Sequence, residues 1–320
     1  MSACVESWLW VKRLNAYSLK VWYHALRPFS YPASIVPVMV GSVIAWQIGP
    51  VDLFLFVITL IGSVAAQAGT NLANEYLDFV QGVDREDSLG PAGVIIKKEL
   101  SPRQVFRAAA TAFSVACAIG LYLTWRVGWF ILMLTVVSAL AAWFYTAKPL
   151  AFGYRGLGEP EVFIFMGPIT VLGSYYVQTK TATLTPLLVS FPIGFLVMAI
   201  LHANNLRDVA QDDQRNRVTW AVLARRWLGA KTGRAMSNLL YYAMIAAPYF
   251  IIMLLASLGI TPLLTLLTII TAPEAIQIIR FVHSGVEGRP LGYAVRSTAR
   301  LHMLFGTTLT LGYVLSNLLR

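Results

Sequence analysis

The sequence predicts an all-α, polytopic membrane protein of about nine transmembrane helices, and three observations carry that expectation. Of 320 residues, 57% are hydrophobic and 12% are charged, against roughly a quarter charged in an ordinary soluble domain. The apolar residues fall in blocks long enough to cross about 30 Å of hydrocarbon. The basic residues collect in every second connection between those blocks. Together these features exclude a soluble enzyme and a disordered binding segment.

The expected spans cover about 31–48, 52–74, 105–124, 128–146, 160–178, 185–206, 235–256, 260–280 and 298–318. Gly49-Pro50, Gly128 and Gly259-Ile260-Thr261-Pro262 make short turns between neighbouring spans, and longer connections cover 75–104, 207–234 and 281–297. Nine spans put the N-terminus and the even-numbered connections on one side. Of the 25 basic residues only Arg126, Lys180 and Arg320 fall opposite, so the N-terminus is expected in the cytoplasm and the C-terminus across the membrane. The net charge of +10 therefore reports topology, and no nucleic-acid partner is expected. Ahead of the first span, Val5, Trp8 and Leu9 with Lys12, Arg13 and Lys20 suggest an amphipathic helix lying in the interface over residues 1–30, followed by one domain over 31–320. No basic start precedes a cleavable apolar core, so no signal peptide is expected. Cys4 and Cys117 are too few and too poorly spaced for a disulfide framework or a metal knuckle.

Apart from Asp52, essentially all acidic residues share the basic side, which topology alone does not require. One cluster closes the second span with Asn71, Asn74, Glu75 and Asp78, then Asp84, Glu86 and Asp87. A second closes the sixth with Asn204, Asn205, Arg207, Asp208, Asp212 and Asp213. Helix positions three or four apart lie above one another, so Asn71 and Asn74 share a face with Asp78, and Asp208 shares one with Asp212. Oxygen-rich helix ends at one membrane face suit Mg²⁺, which is commonly shared between a few carboxylates and substrate phosphates. Acids would hold the metal while neighbouring cations hold diphosphate. The plain alternative is a set of solvated loop charges, and two such clusters in one chain argue against it.

These residues carry a resemblance. Asn71-Leu-Ala-Asn74-Glu75-Tyr76-Leu-Asp78, continuing to Gly82 and Asp84, resembles the first aspartate-rich motif of the UbiA superfamily of intramembrane prenyltransferases. Asn204-Asn205-Leu-Arg207-Asp208 with Asp212 resembles the second. Arg27-Pro28-Phe-Ser30, Gly90-Pro91, Leu100-Ser101-Pro102 and Tyr145 through Gly158 also fit, while Gly167-Pro168 and Ser174 through Thr179 are most similar to the branch acting on 1,4-dihydroxy-2-naphthoate in menaquinone synthesis. The resemblance implies nine helices around a central cavity under a cytoplasmic cap. It implies Mg²⁺ on Asn74, Asp78, Asp208 and Asp212, with Asp84 beside them and Arg207, Lys148 and Arg27 on diphosphate oxygens.

The implied chemistry is electrostatic: metal and cations stabilise the departing diphosphate as an allylic cation develops, and an electron-rich ring captures that cation. Tyr76, Phe79, Tyr145, Phe163, Tyr175 and Tyr176 are expected to shield it, each cation–π contact being worth roughly 0.5–2 kcal/mol. Asn71, Glu75, Asn205 and Arg217 complete the expected substrate contacts. Several positions depart from the family pattern: Glu75 stands where Asp is usual, Asn216-Arg217 where Gly-Lys is usual, Gly93 for Arg and Lys98 for Gly. Arg217 keeps the cation with a different geometry.

Other features weigh less. His24, His202, His283 and His302 lack metal-ligand spacing, and Gly153, Gly156 and Gly158 read as turn residues because no strand precedes them. Glu274, inside the eighth span, needs a partner such as Arg280 or a place in the cavity. The expected function is Mg²⁺-dependent transfer of a polyprenyl chain from its diphosphate to an aromatic quinone precursor, 1,4-dihydroxy-2-naphthoate or a relative, inside the lipid bilayer. A terpene cyclase of the same superfamily, quenching the cation internally, is the first alternative. A transporter or lipid-binding protein is the second, and it would place charges near the midplane rather than at one surface.

Overall fold

The computed structural model describes residues 18–82 and 93–319; the interfacial segment expected before residue 18, and Asp84, lie outside them. Within the described residues all regular structure is helical, with one isolated bridge between Arg155 and Val218. The helices are α1 (18–26), α2 (Pro32–Ala45), α3 (Leu53–Val80), α4 (Pro102–Val127), α5 (Trp129–Phe144), α6 (Gly158–Ile164), α7 (Thr170–Thr179), α8 (Leu184–Gln214), α9 (Trp220–Ser257), α10 (Ala272–His283) and α11 (Gly292–Leu318).

Local chemistry starts these helices where the sequence allows. The Asp52 side chain accepts from the Leu55 N–H at 3.0 Å to begin α3, and Ser101 with Gln104 closes a reciprocal cap at α4. Thr219 caps α9 through the Val222 N–H. Pro168 falls in a π-turn over Phe165–Ile169 between α6 and α7, and Thr170 Oγ1 donates to the Phe165 carbonyl at 2.6 Å. The Thr170 N–H also bonds to that carbonyl, so one residue closes the irregular turn with both its backbone and its side chain.

Helix α8 is the centre of the packing. Val189, Ile193, Leu196, Val197, Ala199, Ile200, Ala203 and Leu206 are all buried, and a helix apolar on every side belongs in the middle of a bundle. Helix α2 is wedged between α7 and α11 because two glycines permit it. A Cβ on Gly41 would lie 2.3 Å from the Val171 carbonyl, and one on Gly306 would lie 2.1 Å from Val36. Such close backbone approach is how helices associate where no water drives them together. The outer faces of α4 and α5 expose Leu121, Trp125, Trp129, Leu132, Val136 and Leu140, an apolar surface suited to lipid.

Among the described residues six helical segments are long and apolar enough to cross a membrane, and the bent pair Ser18–Ser30 and Pro32–Ala45, at 47°, makes a seventh. Of the nine expected spans, two fall short of that measure. Trp129–Phe144 has 16 residues, about 24 Å of helix, and Gly292–Leu318 is less apolar, carrying His302, Thr307, Thr308, Thr310, Ser316 and Asn317 along its length. Glu274 pairs with Arg300 at 2.5 and 3.1 Å, not with Arg280. Helix α9 breaks at Gly229 (φ 80°, ψ 168°), which sets 220–228 off from the long span that follows.

Candidate active site

The C-terminal ends of α3 and α8 bring the two acidic clusters to one end of the bundle, and two loops join them there. The loop after α5 and the loop after α8 are stitched by backbone bonds: Gly156 N–H to Val218 O at 2.7 Å and Val218 N–H to Tyr154 O at 3.0 Å. Trp220 Nε1 adds a bond to the Gly156 carbonyl at 2.9 Å. This stitching places Tyr154 beside Arg217. Tyr154 donates its hydroxyl proton to Asp78 Oδ1, the Arg217 guanidinium lies 5.2 Å from the Tyr154 ring centroid, and Arg217 Nη1 is 3.9 Å from Asp212 Oδ1. A chain Asp78–Tyr154–Arg217–Asp212 therefore connects the first motif to the second.

Electrostatics fix Arg217 in that position. Burial works against its charge, but Asp212, Tyr145 and Asp78 more than offset this and its pKa is raised. Asp208 adds to the negative field at Asp212 while its two oxygens accept from Arg207 Nε at 2.7 Å and Nη2 at 2.6 Å. Asn74 Oδ1 accepts from Thr146 Oγ1 at 2.8 Å, holding the start of the loop after α5 against α3. Tyr145 stands at that junction, within the fields of Asp78 and Arg217, and packs against Gly153 and Gly158, where a larger residue would meet its ring or hydroxyl.

Several expected contacts take other roles. Asn71 Nδ2 donates to Leu26 O and Ser30 Oγ, both at 2.9 Å, bracing the α1–α2 junction against α3. Asn205 Nδ2 donates to Glu159 Oε1 at 2.8 Å. Both asparagines are buried and turned away from the Arg217 chain by these bonds. Glu75, 1% exposed, has one oxygen 3.1 Å from Arg27 Nη2 and the other accepting from the Gly93 N–H at 2.8 Å; its longer arm reaches across to these donors. Lys148 is exposed on the loop after α5, outside the connecting chain. Tyr175 and Tyr176 lie at the opposite end of the bundle. Tyr175 is buried against Thr183, and Tyr176 stacks at 4.5 Å on Phe130, near the Asp52–Gln178 bond at the start of α3. Two turns of α7 beyond the π-turn carry them away from the motifs.

The sequence reading missed Tyr154 and Glu159. Glu159 is fully buried and accepts from Asn205 and from the Trp220 N–H, with His202 Nδ1 at 3.3 Å, so one carboxylate ties α6, α8 and α9 together. A buried, multiply satisfied carboxylate rarely shows in spacing, although Tyr154 stands inside the Tyr145–Gly158 stretch that carries the resemblance. Beneath the site, a cavity of about 210 Å³ runs between α2, α3, α4, α5 and α7, lined by Ala66, Gly120, Thr135, Ser138, Ala142 and Gly173 among others. Ala142, among its lining residues, is one turn from Tyr145.

Residues 34–288 match the UbiA prenyltransferase family. The chain belongs to that family. It is 30% identical over 298 residues to the 1,4-dihydroxy-2-naphthoate octaprenyltransferase of Bacillus subtilis (strain 168), covering 93% of each chain. The structure of a UbiA homologue from Aeropyrum pernix K1 superposes with a TM-score of 0.63 at 15% identity, covering 92% of this chain and 98% of that one. A UbiA homologue from Archaeoglobus fulgidus bound to GPP and Mg²⁺ superposes with a TM-score of 0.57 at 14% identity, covering 90% and 99%. This UbiA-family chain is thus an integral, multi-pass membrane prenyltransferase, and the ends of α3 and α8 carry the two acidic clusters.

Proposed function

We propose that the protein transfers a polyprenyl group from its diphosphate to an aromatic quinone precursor, 1,4-dihydroxy-2-naphthoate or a close relative. The observation that carries this reading is the Asp78–Tyr154–Arg217–Asp212 chain, which links two acidic helix ends through one half-buried cation. The relative from B. subtilis, similar over nearly its whole length, supports the acceptor class.

Mg²⁺ fits this site by its donors. Asn74, Asp78, Asp208 and Asp212 offer only oxygen, the ligand type Mg²⁺ takes, and Asp212 Oδ2 is buried without a hydrogen-bond partner. Among the described residues no three His, Cys, Asp or Glu side chains gather as a metal site; phosphate oxygens and water would complete the shell. When bound, Mg²⁺ neutralises charge on the departing diphosphate. The chain's own groups do the rest: Arg217 and Arg207 present guanidinium donors to phosphate oxygens, Arg27 is aimed by Glu75, and Tyr154 orients Asp78. Tyr145 and Tyr154, beside Asp78 and Arg217, would shield the positive charge that develops on the allylic carbon, and the cavity that reaches Ala142 would take the apolar tail. The distribution of basic residues supports a cytoplasmic position for this end.

Purified protein incubated with polyprenyl diphosphate and 1,4-dihydroxy-2-naphthoate tests the reading by mass spectrometry of the products. Mg²⁺-dependent, acceptor-dependent prenylation that is abolished in Asp78→Asn and Asp208→Asn, with both variants still inserted and folded, supports it. A cyclic hydrocarbon formed without acceptor would replace it with the cyclase reading.

A further inference from the structure

The Arg217 chain holds only while two loops stay in place, and what fixes them is buried behind the site. Glu159 Oε1 is a meeting point for three groups: Asn205 Nδ2 on α8 at 2.8 Å, the Trp220 N–H at 3.4 Å and His202 Nδ1 at 3.3 Å. The Trp220 N–H is the first of α9 and has no acceptor inside its own helix. His202 is fully buried as well, and its Nε2 lies 3.0 Å from the Ser237 carbonyl. Glu159 thus grips the short segment 220–228 of α9, and His202 grips the long segment beyond the break at Gly229.

The donors and acceptors require a proton between the two side chains. A backbone carbonyl only accepts, so Nε2 carries its hydrogen, and a neutral ring would then present a bare lone pair at Nδ1. An ionised carboxylate also presents only lone pairs. Facing each other at 3.3 Å and sealed from water, the two would repel. One additional proton between Nδ1 and Oε1 turns that repulsion into a hydrogen bond, strengthened by the low local dielectric. The pair then clamps α9 on both sides of its bend.

That clamp lies three residues from Arg217. Trp220, held by its N–H, turns its indole N–H to the Gly156 carbonyl at 2.9 Å, and Gly156 in turn donates to the Val218 carbonyl at 2.7 Å. Glu159 follows Gly156 by three residues, so both sides of the loop pairing end on one carboxylate. We infer that Glu159 and His202 are positioning residues for Arg217, their shared proton locking the start of α9 so that the guanidinium stands between Tyr154 and Asp212. Their own hydrogen bonds run to Asn205, Trp220 and Ser237, and the backbone carries the effect to the cation. The inference rests on the reading that Arg217 meets the diphosphate, and it names what holds that cation in register.

The test is a double-mutant cycle on binding of geranyl diphosphate at saturating Mg²⁺, measured by calorimetry on the full chain in detergent, with melting temperatures to confirm folding. Glu159→Gln puts one amide where three donors meet: its oxygen leaves Nδ1 opposed, and its nitrogen opposes Asn205 and Trp220. It should weaken binding about tenfold, the scale of one hydrogen bond to a charged group. In the Arg217→Gln background, where Arg207 and Arg27 remain, the same substitution should cost less than about twofold, because its effect passes through Arg217. His202→Leu should behave like Glu159→Gln, and His202→Asn, which restores a donor near the Nδ1 position, should recover affinity. If Glu159→Gln does not fold, the two His202 variants carry the cycle. Equal losses with and without Arg217, or no loss in a folded variant, overturn the inference and leave the pair a structural brace. The prenyl-transfer reading fails by a different result, wild type that binds the diphosphate yet makes no prenylated product from 1,4-dihydroxy-2-naphthoate.

Discussion

The guanidinium of Arg217 lies 5.2 Å from the centroid of the Tyr154 ring, and the Tyr154 hydroxyl in turn binds Asp78. One aromatic side chain thus supports the cation of the second motif region with its face and orients a carboxylate of the first with its edge. Arg217→Lys keeps the charge but loses the planar fork that can stack and bind at once. The expected outcome is a fall of about a hundredfold in kcat, the usual scale for removing one positioned charge-stabilising donor. Tyr154→Phe should retain the stacking and lose the Asp78 bond, giving a smaller fall. Steady-state kinetics with saturating substrates, and melting temperatures in the same detergent, check both.

Glu75 belongs to the first motif by position, yet its oxygens face Arg27 and the Gly93 amide. Glu75→Gln should therefore raise KM for the prenyl diphosphate several-fold through Arg27 and lower the melting temperature, because a buried bond to a charged group contributes about 1.5–3 kcal/mol. The Mg²⁺ concentration for half-maximal rate should stay at the wild-type value. Asp78→Asn should raise it steeply in any residual activity. A Mg²⁺ titration of the two variants side by side makes the comparison, and equal shifts would assign Glu75 to the metal.

The cavity below Tyr145 predicts control of chain length. Ser138 lines it on α5, and Ser138→Phe fills part of it with a ring. We expect kcat/KM for an octaprenyl diphosphate to fall about tenfold or more while that for geranyl diphosphate changes little, since an overfilled apolar pocket discriminates by a few kcal/mol at most. Competition between the two donors, resolved by product mass, measures this directly.

What the sequence made legible, and what it hid, divides along physical lines. The apolar blocks and the i, i+4 acids on α3 and α8 follow from helical periodicity alone, so the two motif ends were locatable before any coordinates. Periodicity gives a face and not a partner. Asn71 and Asn205 share the faces of the motif aspartates, yet Leu26, Ser30 and Glu159 claim their amides. Tyr154 became visible only through the Gly156–Val218 pairing, a contact between loops remote in the chain. Tyr175 and Tyr176 were misplaced because a resemblance in residues says nothing of depth, and the π-turn before them sets how far along the bundle they fall. The span count divides similarly: among the described residues seven of the nine expected spans reach the length and hydropathy of a crossing, while the apolar helix Trp129–Phe144 has 16 residues.

The backbone pairing of Gly156 with Val218 also dictates when the site can come into being. During synthesis the carboxylates of α3 are made long before the loop that carries Arg217, and they face the interface without that counter-charge until α8 has crossed the bilayer and turned back. Competence then arrives in one late closure, so a chain interrupted between residues 213 and 218 would hold the acids of both clusters and still lack the fastening that makes them a single site.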